Sequence, residues 1–304
     1  MKQSWKDFLL TLVISIVIFA AVAFFLIRST EGLMGDLVSG VRAAGSNGKS
    51  VEAISDAVDF FDEGGEDFEN NNAVSMLFIV MDDNNRADVI VLLGVETVKK
   101  SATMALIPGN TGVTEAGVTY RLSDLDAEYQ IGTIKRFIRE QTGIKPDYYM
   151  AITRDGFSNW VDFMGGVTFT VPREMEDFDP VGNRRISLPA GEQKLSGDQV
   201  AQFLAFSDYG EDMARDDALL RFVKAFSTAF LRSANLSEAR SRYYNVARHM
   251  ITDFEEKDLT GKGAILFRFG DYGPNIRRIP GATDADGFYT ISTERVTPMF
   301  EVFQ

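Results

Sequence analysis

The sequence predicts an α/β domain, a mixed β-sheet sandwiched by helices (α/β/α), preceded by a single N-terminal transmembrane helix. Three observations lead there. Residues Phe8–Ile27 (FLLTLVISIVIFAAVAFFLI) are an uncharged run that, at about 1.5 Å per residue, matches a bilayer core of roughly 30 Å. Downstream, short apolar runs such as SMLFIVMD, ADVIVLLGVE and ATMALIP are bounded by polar breaks, as buried strands are. Among them lie segments with apolar residues three and four apart, and no repeat period relates one segment to another. Strands interleaved with helices give a layered domain around one sheet.

Lys2 and Lys6 precede the apolar run, and Arg28 and Glu31 follow it. The positive-inside tendency therefore places the short N-terminus in the cytoplasm and residues 29–304 outside. The run exceeds a typical signal-peptide core, and no clean small-x-small cleavage site follows it. Residues 1–28 are thus expected to be a cytoplasmic tip and uncleaved anchor in the cell membrane, crossing it once. Residues 29–73 read as a stalk of weakly amphipathic stretches, jointed at GSNGKS and closed by the acidic DEGGEDFENNN. Two decoys sit in it. AAGSNGKS resembles a Walker A loop, but Ala43 stands where the first glycine belongs and no strand leads into it. The carboxylates of DEGGEDFEN lack EF-hand spacing and read as a solvated linker.

Residues 74–304 read as one extracytoplasmic domain. Strands are expected at SMLFIVMD, ADVIVLLGVE, ATMALIP, DYYMAIT, GVTFTVP, AILFRF and GFYTI. A helix is expected at IGTIKRFIREQTG, where Ile131, Ile134, Phe137 and Ile138 share a face and Gly143 caps the end. Further helices are expected at 155–164, 196–206, 213–233, 236–248 and 292–302. The net charge of −13, with no basic stripe, argues against a nucleic-acid partner. The absence of cysteine excludes disulfides and thiolate zinc sites, and His249 is the single histidine. On glycine content alone, MALIPGNTGVTEAG is either a phosphate cradle or an ordinary turn.

Several local patterns, in order, resemble the LytR-CpsA-Psr family of bacterial cell-envelope proteins. They are NRADVIVLLGV followed by KKSATMALIPGNT, then GIKPDYYMAITRDGFSNWVDFMGGVTFTVP, then ISLPAGEQKLSGDQVAQFLAF. Similarity continues more weakly through TDFEEKDL and RRIPGA. The resemblance implies transfer of a glycopolymer from a polyprenyl-pyrophosphate carrier to peptidoglycan outside the membrane. It also implies a divalent ion such as magnesium, arginines on the pyrophosphate and an apolar cavity for the prenyl tail.

Carried over residue by residue, the resemblance puts Arg86 on the pyrophosphate and makes Asp88 a metal ligand or base. It makes Asp83, or its neighbour Asp82, a further metal ligand, and matches Arg215, preceded by Asp212, to an arginine at a later helix start. It also marks departures. Gly109 and Asn110 replace an arginine and an aspartate. Ala205 and Ser207 replace an arginine pair, and Leu219 replaces a glutamine. Three lost arginines would each forfeit about 1.5–3 kcal/mol of charge-assisted hydrogen bonding, not strictly additively. Lys135, Arg136, Arg154 or backbone N–H groups at Gly109 are candidate substitutes.

Without the resemblance, Arg86 and Asp88 read as a surface pair beginning a strand, and Arg215 and Asp212 as helix N-terminal charges. Asp162 reads as helix surface and His249 as structural or exposed. The phenylalanines serve either as core or as the wall of a prenyl cavity. Three readings remain open: a transferase using Asp88, Asp83, Arg86 and Arg215; a catalytically impaired member that binds lipid-linked or wall glycan or scaffolds envelope assembly; or a generic stalked structural domain.

Overall fold

Val74, Met76 and Val80 face one side of the first strand, Leu77, Ile79 and Met81 the other, and all six are buried. Side chains alternate across a strand, so an uninterrupted apolar run means that both faces are covered. The structure, a computed structural model, describes residues 72–209, 215–230 and 236–300. The expected anchor, the stalk as far as residue 71, and Asp212 lie outside the described residues. Among the described residues no helix is long and apolar enough to cross a membrane.

The chain forms β1 (Ala73–Met81), β2 (Ala87–Glu96) and β3 (Ser101–Ile107) as an antiparallel meander. The hairpin of β4 (Gly112–Glu115) and β5 (Val118–Arg121) follows, then α1 (Ile131–Thr142). Next, β6 (Tyr148–Thr153) lies parallel to β1, and α2 (Arg154–Phe163) follows without a break. β7 (Val167–Val171) pairs with β10 (Gly191–Leu195), enclosing the hairpin of β8 (Met175–Asp179) and β9 (Arg184–Leu188). Helices α3 (Gly197–Ala205), α4 (Arg215–Phe230) and α5 (Leu236–Ala247) lead to β11 (Met250–Thr252). The described chain closes with β12 (Asn275–Arg278), the hairpin of β13 (Gly281–Thr283) and β14 (Tyr289–Ile291), and α6 (Thr293–Phe300). The main sheet has six strands in the order β11-β6-β1-β2-β3-β12, and β12 is parallel to β3.

Both faces are covered. Leu77, Ile79, Ile90 and Leu92 pack with Ile134, Phe137 and Ile138 of α1 and Phe300 of α6. The opposite face, with Val80, Val91 and Leu106, packs against Phe157 of α2, Phe203 of α3, Phe222 of α4 and Val246 of α5. A mixed sheet with helices is the class the sequence predicts, but β4, β5 and β8–β13 are not among the expected strands, and β7 and β14, which are, lie outside the main sheet. Local signals hold too: Gly143 caps α1 with φ 73°, and Ser196 and Gln199 form a capping box at α3. Gly197 is needed for contact rather than flexibility, since a Cβ there would lie 2.0 Å from the Ser158 carbonyl oxygen of α2.

One expected strand does not form. AILFRF, expected as a strand, lies in a 3-10 segment, Lys262–Tyr272, with Ala264, Ile265 and Phe269 buried. A short apolar run does not by itself distinguish a strand from a buried helical turn. Here Gly263 sits against the Phe254 ring, where a Cβ would approach to 2.4 Å, and the chain coils under the sheet instead of joining it.

A charged cluster beside an apolar cavity

The β1–β2 connection is a tight turn. The Asp82 carboxylate accepts the backbone N–H groups of Asn84 and Arg86, each at 2.8 Å, and Asn85 adopts φ 61°. Asp82 is therefore occupied within the turn, and Asp83 is the acid that faces the neighbouring element. Because β6 runs parallel to β1, with Met81 opposite Thr153, the first residue after β6 emerges beside this turn. That residue is Arg154, whose side chain is 6% exposed.

The Arg154 guanidinium gathers three acids. Nη1 lies 2.5 Å from Asp83 Oδ2 and 3.2 Å from Asp179 Oδ2, and Nη2 lies 3.2 Å from Asp88 Oδ2. The other Asp88 oxygen, Oδ1, accepts from Arg215 Nη2 at 2.5 Å. Arg215 Nη2 also donates to the Leu204 carbonyl at 3.0 Å, tying the start of α4 to the end of α3. Three carboxylates and two guanidiniums leave the cluster one net negative charge.

Burial shapes the neighbouring ionisations. It pulls the Arg215 guanidinium down, but the charge and hydrogen bond of Asp88, with Tyr209 and Asp216, outweigh it, and the net displacement is upward. Burial pushes the Tyr209 phenol well up, against the opposing charge of Arg215. It also raises the Asp216 carboxyl, with Arg278 and Arg215 opposing. A carboxyl raised in the folded state contributes stability at low pH that is lost as pH rises through its folded pKa. Asp216→Asn is therefore expected to gain stability on the wild type as pH rises from about 4 to 7, read as a widening difference in Tm.

An apolar cavity of about 150 Å³ lies between the sheet and the helices, lined by residues including Phe157, Trp160, Phe222, Phe226 and Phe269. Its wall includes Val89, next in sequence to Asp88, and Leu204, whose carbonyl holds Arg215. None of the cluster side chains, Asp83, Asp88, Asp179, Arg154 or Arg215, is itself among the residues that line the cavity.

The structure brings Asp83, Asp88 and Arg215 together. Arg86 is exposed on the same turn, and among the described residues no carboxylate pairs with its guanidinium. Of the candidate substitutes only Arg154 joins the cluster. Lys135 pairs with Asp253 at 3.0 Å and lies over the Tyr149 ring, while Arg136 pairs with Glu115 at 2.5 Å. The Gly109 carbonyl accepts from Ser123 N–H, and the Asn110 side chain donates to the Gly287 carbonyl at 3.0 Å, so this strand exit is held as a structural turn. Ala205 ends α3, Ser207 is exposed, and Leu219, 2% exposed, is core. Asp162 accepts the Gly197 N–H at 2.7 Å, and the His249 carbonyl accepts the Thr153 N–H, both in structural roles. Asp179 carried no signal in the sequence; the β8–β9 hairpin alone delivers it.

Magnesium is the ion that the resemblance implies. Carboxylate oxygens are the hard ligands magnesium prefers, at about 2.0–2.1 Å. Here, however, Asp83 and Asp88 converge on the Arg154 guanidinium, and among the described residues no three acid or histidine side chains are grouped to hold a metal. The arrangement does not fit the ion.

The chain is thus an α/β/α domain with a charged cluster at its strand ends and an apolar cavity between sheet and helices. Residues 41–301 match the LytR_cpsA_psr family, and the chain belongs to that family. It is 23% identical over 214 residues to the Bacillus subtilis polyisoprenyl-teichoic acid–peptidoglycan teichoic acid transferase TagV, covering 62% of this chain and 54% of TagV. It is likewise 23% identical over 207 residues to the uncharacterized Staphylococcus aureus protein SAOUHSC_00997, covering 61% of this chain and 50% of that one. The chain spans about half the length of these curated relatives. The TagV crystal structure superposes with a TM-score of 0.58 at 19% identity, covering 77% of this chain and 98% of that one. A LytR-Csp2A-Psr enzyme from Actinomyces oris gives 0.58 at 17% identity, covering 76% and 90%. At these identities the likeness establishes the fold.

Proposed function

We propose that this chain is a cell-envelope protein, anchored by Phe8–Ile27 with its domain outside the membrane, that transfers a glycopolymer from a polyprenyl-pyrophosphate carrier to peptidoglycan. The observation that carries the reading is that one domain holds both an apolar cavity and an arginine–carboxylate cluster, with Val89 of the cavity wall next in sequence to Asp88. An isoprenoid tail is apolar throughout and suits walls of Phe, Val, Leu and Met; its pyrophosphate would then lie at Arg154 and Arg215. The activity named for TagV is of this kind.

In this reading a hydroxyl oxygen of the wall acceptor attacks the phosphorus that bears the glycopolymer. A bond forms between that oxygen and phosphorus, and the bond from phosphorus to the bridging oxygen breaks. Polyprenyl phosphate leaves with the electron pair. The hydroxyl proton passes to Asp88, whose carboxylate is fixed in orientation by Arg154 and Arg215. Arg154 and Arg215 present N–H donors to the transferring group, their charges being already offset by the three carboxylates. Arg86, exposed on the same turn, supplies a further cation to the head group.

Asp88→Ala is expected to lower transfer by about a hundredfold or more, measured with a lipid-linked glycan donor and isolated wall. A second reading, binding without transfer, is favoured by one observation: Gly109, Asn110, Ala205 and Ser207 bring no cation, and Arg154 and Arg215 are both held by acids. Wild-type chain that binds the donor and never turns it over would establish that second reading and end the first.

A further inference from the structure

A cation shared by Asp83 and Asp88 has a definite place in this fold, and a side chain already stands there. Arg154 reaches both acids with different nitrogens of one guanidinium, at 2.5 and 3.2 Å, and takes Asp179 as a third partner at 3.2 Å. An ion ligated by Asp83 and Asp88 would need oxygens from both at about 2.0–2.1 Å, in the space the guanidinium fills. Displacing Arg154 would break three ion pairs around a side chain that is 6% exposed. The β8–β9 turn adds to the confinement. Any Cβ at Gly182 would lie 2.6 Å from Asp83 Oδ2 and 2.8 Å from Asp179 Oδ2, so the turn backbone presses on the two acids that share Nη1.

We propose that Arg154 is the resident cation of this site, standing where Asp83 and Asp88 would otherwise hold a divalent ion, so that the chain binds a pyrophosphate head group without metal. The proposal rests on the pyrophosphate reading above for its ligand, though not for the exclusion of metal. A guanidinium has five N–H donors in a planar fork. The three acids engage Nη1 and Nη2, while Nε is buried with no partner. A divalent ion also needs its ligands free, whereas both Asp88 oxygens are already held, one by each arginine. Arg154 is thus a positioning and charge-balancing residue that replaces an exchangeable ion by a covalently tethered one.

The test uses the full-length chain in mild detergent with two readouts. Mn2+ uptake is followed by electron paramagnetic resonance, with Asp83→Asn as the control for ions condensed on the acidic surface. Binding of geranylgeranyl pyrophosphate is followed by calorimetry, in EDTA and in magnesium. The wild type is expected to take up no more Mn2+ than the Asp83→Asn control. Its affinity for the prenyl pyrophosphate should change by less than about twofold between EDTA and magnesium. Arg154→Ala is expected to gain a Mn2+ site, and its prenyl pyrophosphate binding should become dependent on divalent ion by about tenfold or more. Mn2+ bound by the wild type at a site lost in Asp83→Asn would overturn the proposal. So would a folded Arg154→Ala chain that takes up no Mn2+, or wild-type binding that collapses in EDTA. If Arg154→Ala does not fold, the wild-type measurements decide alone. Wild type that ignores both Mn2+ and the prenyl pyrophosphate would overturn the pyrophosphate reading while leaving the exclusion of metal standing.

Discussion

Arg154→Ala is expected to destabilise the domain by about 3–5 kcal/mol, the range for removing one partner from a buried ion pair and leaving its charge unmet. Three acids depend on this side chain, and only Asp88 keeps another guanidinium when it is removed. For a domain of this size the loss corresponds to a fall in Tm of about 6–20 °C. Arg154→Lys should recover part of it, because an ammonium keeps the charge without the fork that reaches Asp83 and Asp88 at once. Asp179→Asn should cost much less, since the cluster holds one more acid than it has arginines. Chemical denaturation of the three variants gives the comparison, and an Arg154→Ala chain within about 1 kcal/mol of wild type would mean that the cluster is solvated and weak.

Phe222→Ala is expected to cost a similar amount, about 3–5 kcal/mol. The ring is 2% exposed and lies among those of Phe157, Phe169, Phe203 and Phe226, with centroids 5.1 to 6.4 Å away. It also lines the cavity, so truncation removes aromatic contacts and enlarges a space that is already unfilled by side chains. A long apolar alcohol of the isoprenoid type should restore stability to the variant more than to the wild type, because anything that binds only the folded chain stabilises it in proportion to occupancy. Thermal unfolding with and without the alcohol measures this. Equal shifts in the two proteins would show that the chain is not entering this cavity.

The sequence carried much of the sheet and little of the site. β1, β2 and β3 are legible because both faces are buried and the apolar run is unbroken. The helical face of α1 and the capping box of α3 are legible because local chemistry fixes them. β8 and β9 were not, since most of their side chains face water and read as the charged stretch EMEDFDPVGNRRISL. Asp179 was lost with them: its role arises from a hairpin that folds back across the start of α2. Arg154 was nameable as one of several candidate cations, but choosing it over Lys135 and Arg136 needed the parallel register of β6 on β1. The resemblance supplied Asp83, Asp88 and Arg215 as separate positions. That they meet around a fourth residue belongs to the tertiary structure.

The position of β12 has a consequence for how the domain forms. The meander β1–β3 is contiguous in the chain and closes with short turns, so its pairing has little entropy to overcome. β12 then pairs in parallel with β3, Asn275 opposite Thr103, after almost the whole remaining domain has intervened. A chain emerging from its N-terminus would therefore assemble its sheet from the centre and hold an open edge at β3 until β12 has been made. During that interval the apolar β3, with Met104 and Leu106, is unpaired on one side and exposed to other strands. The vulnerable interval in the formation of this domain is the one before β12 reaches β3.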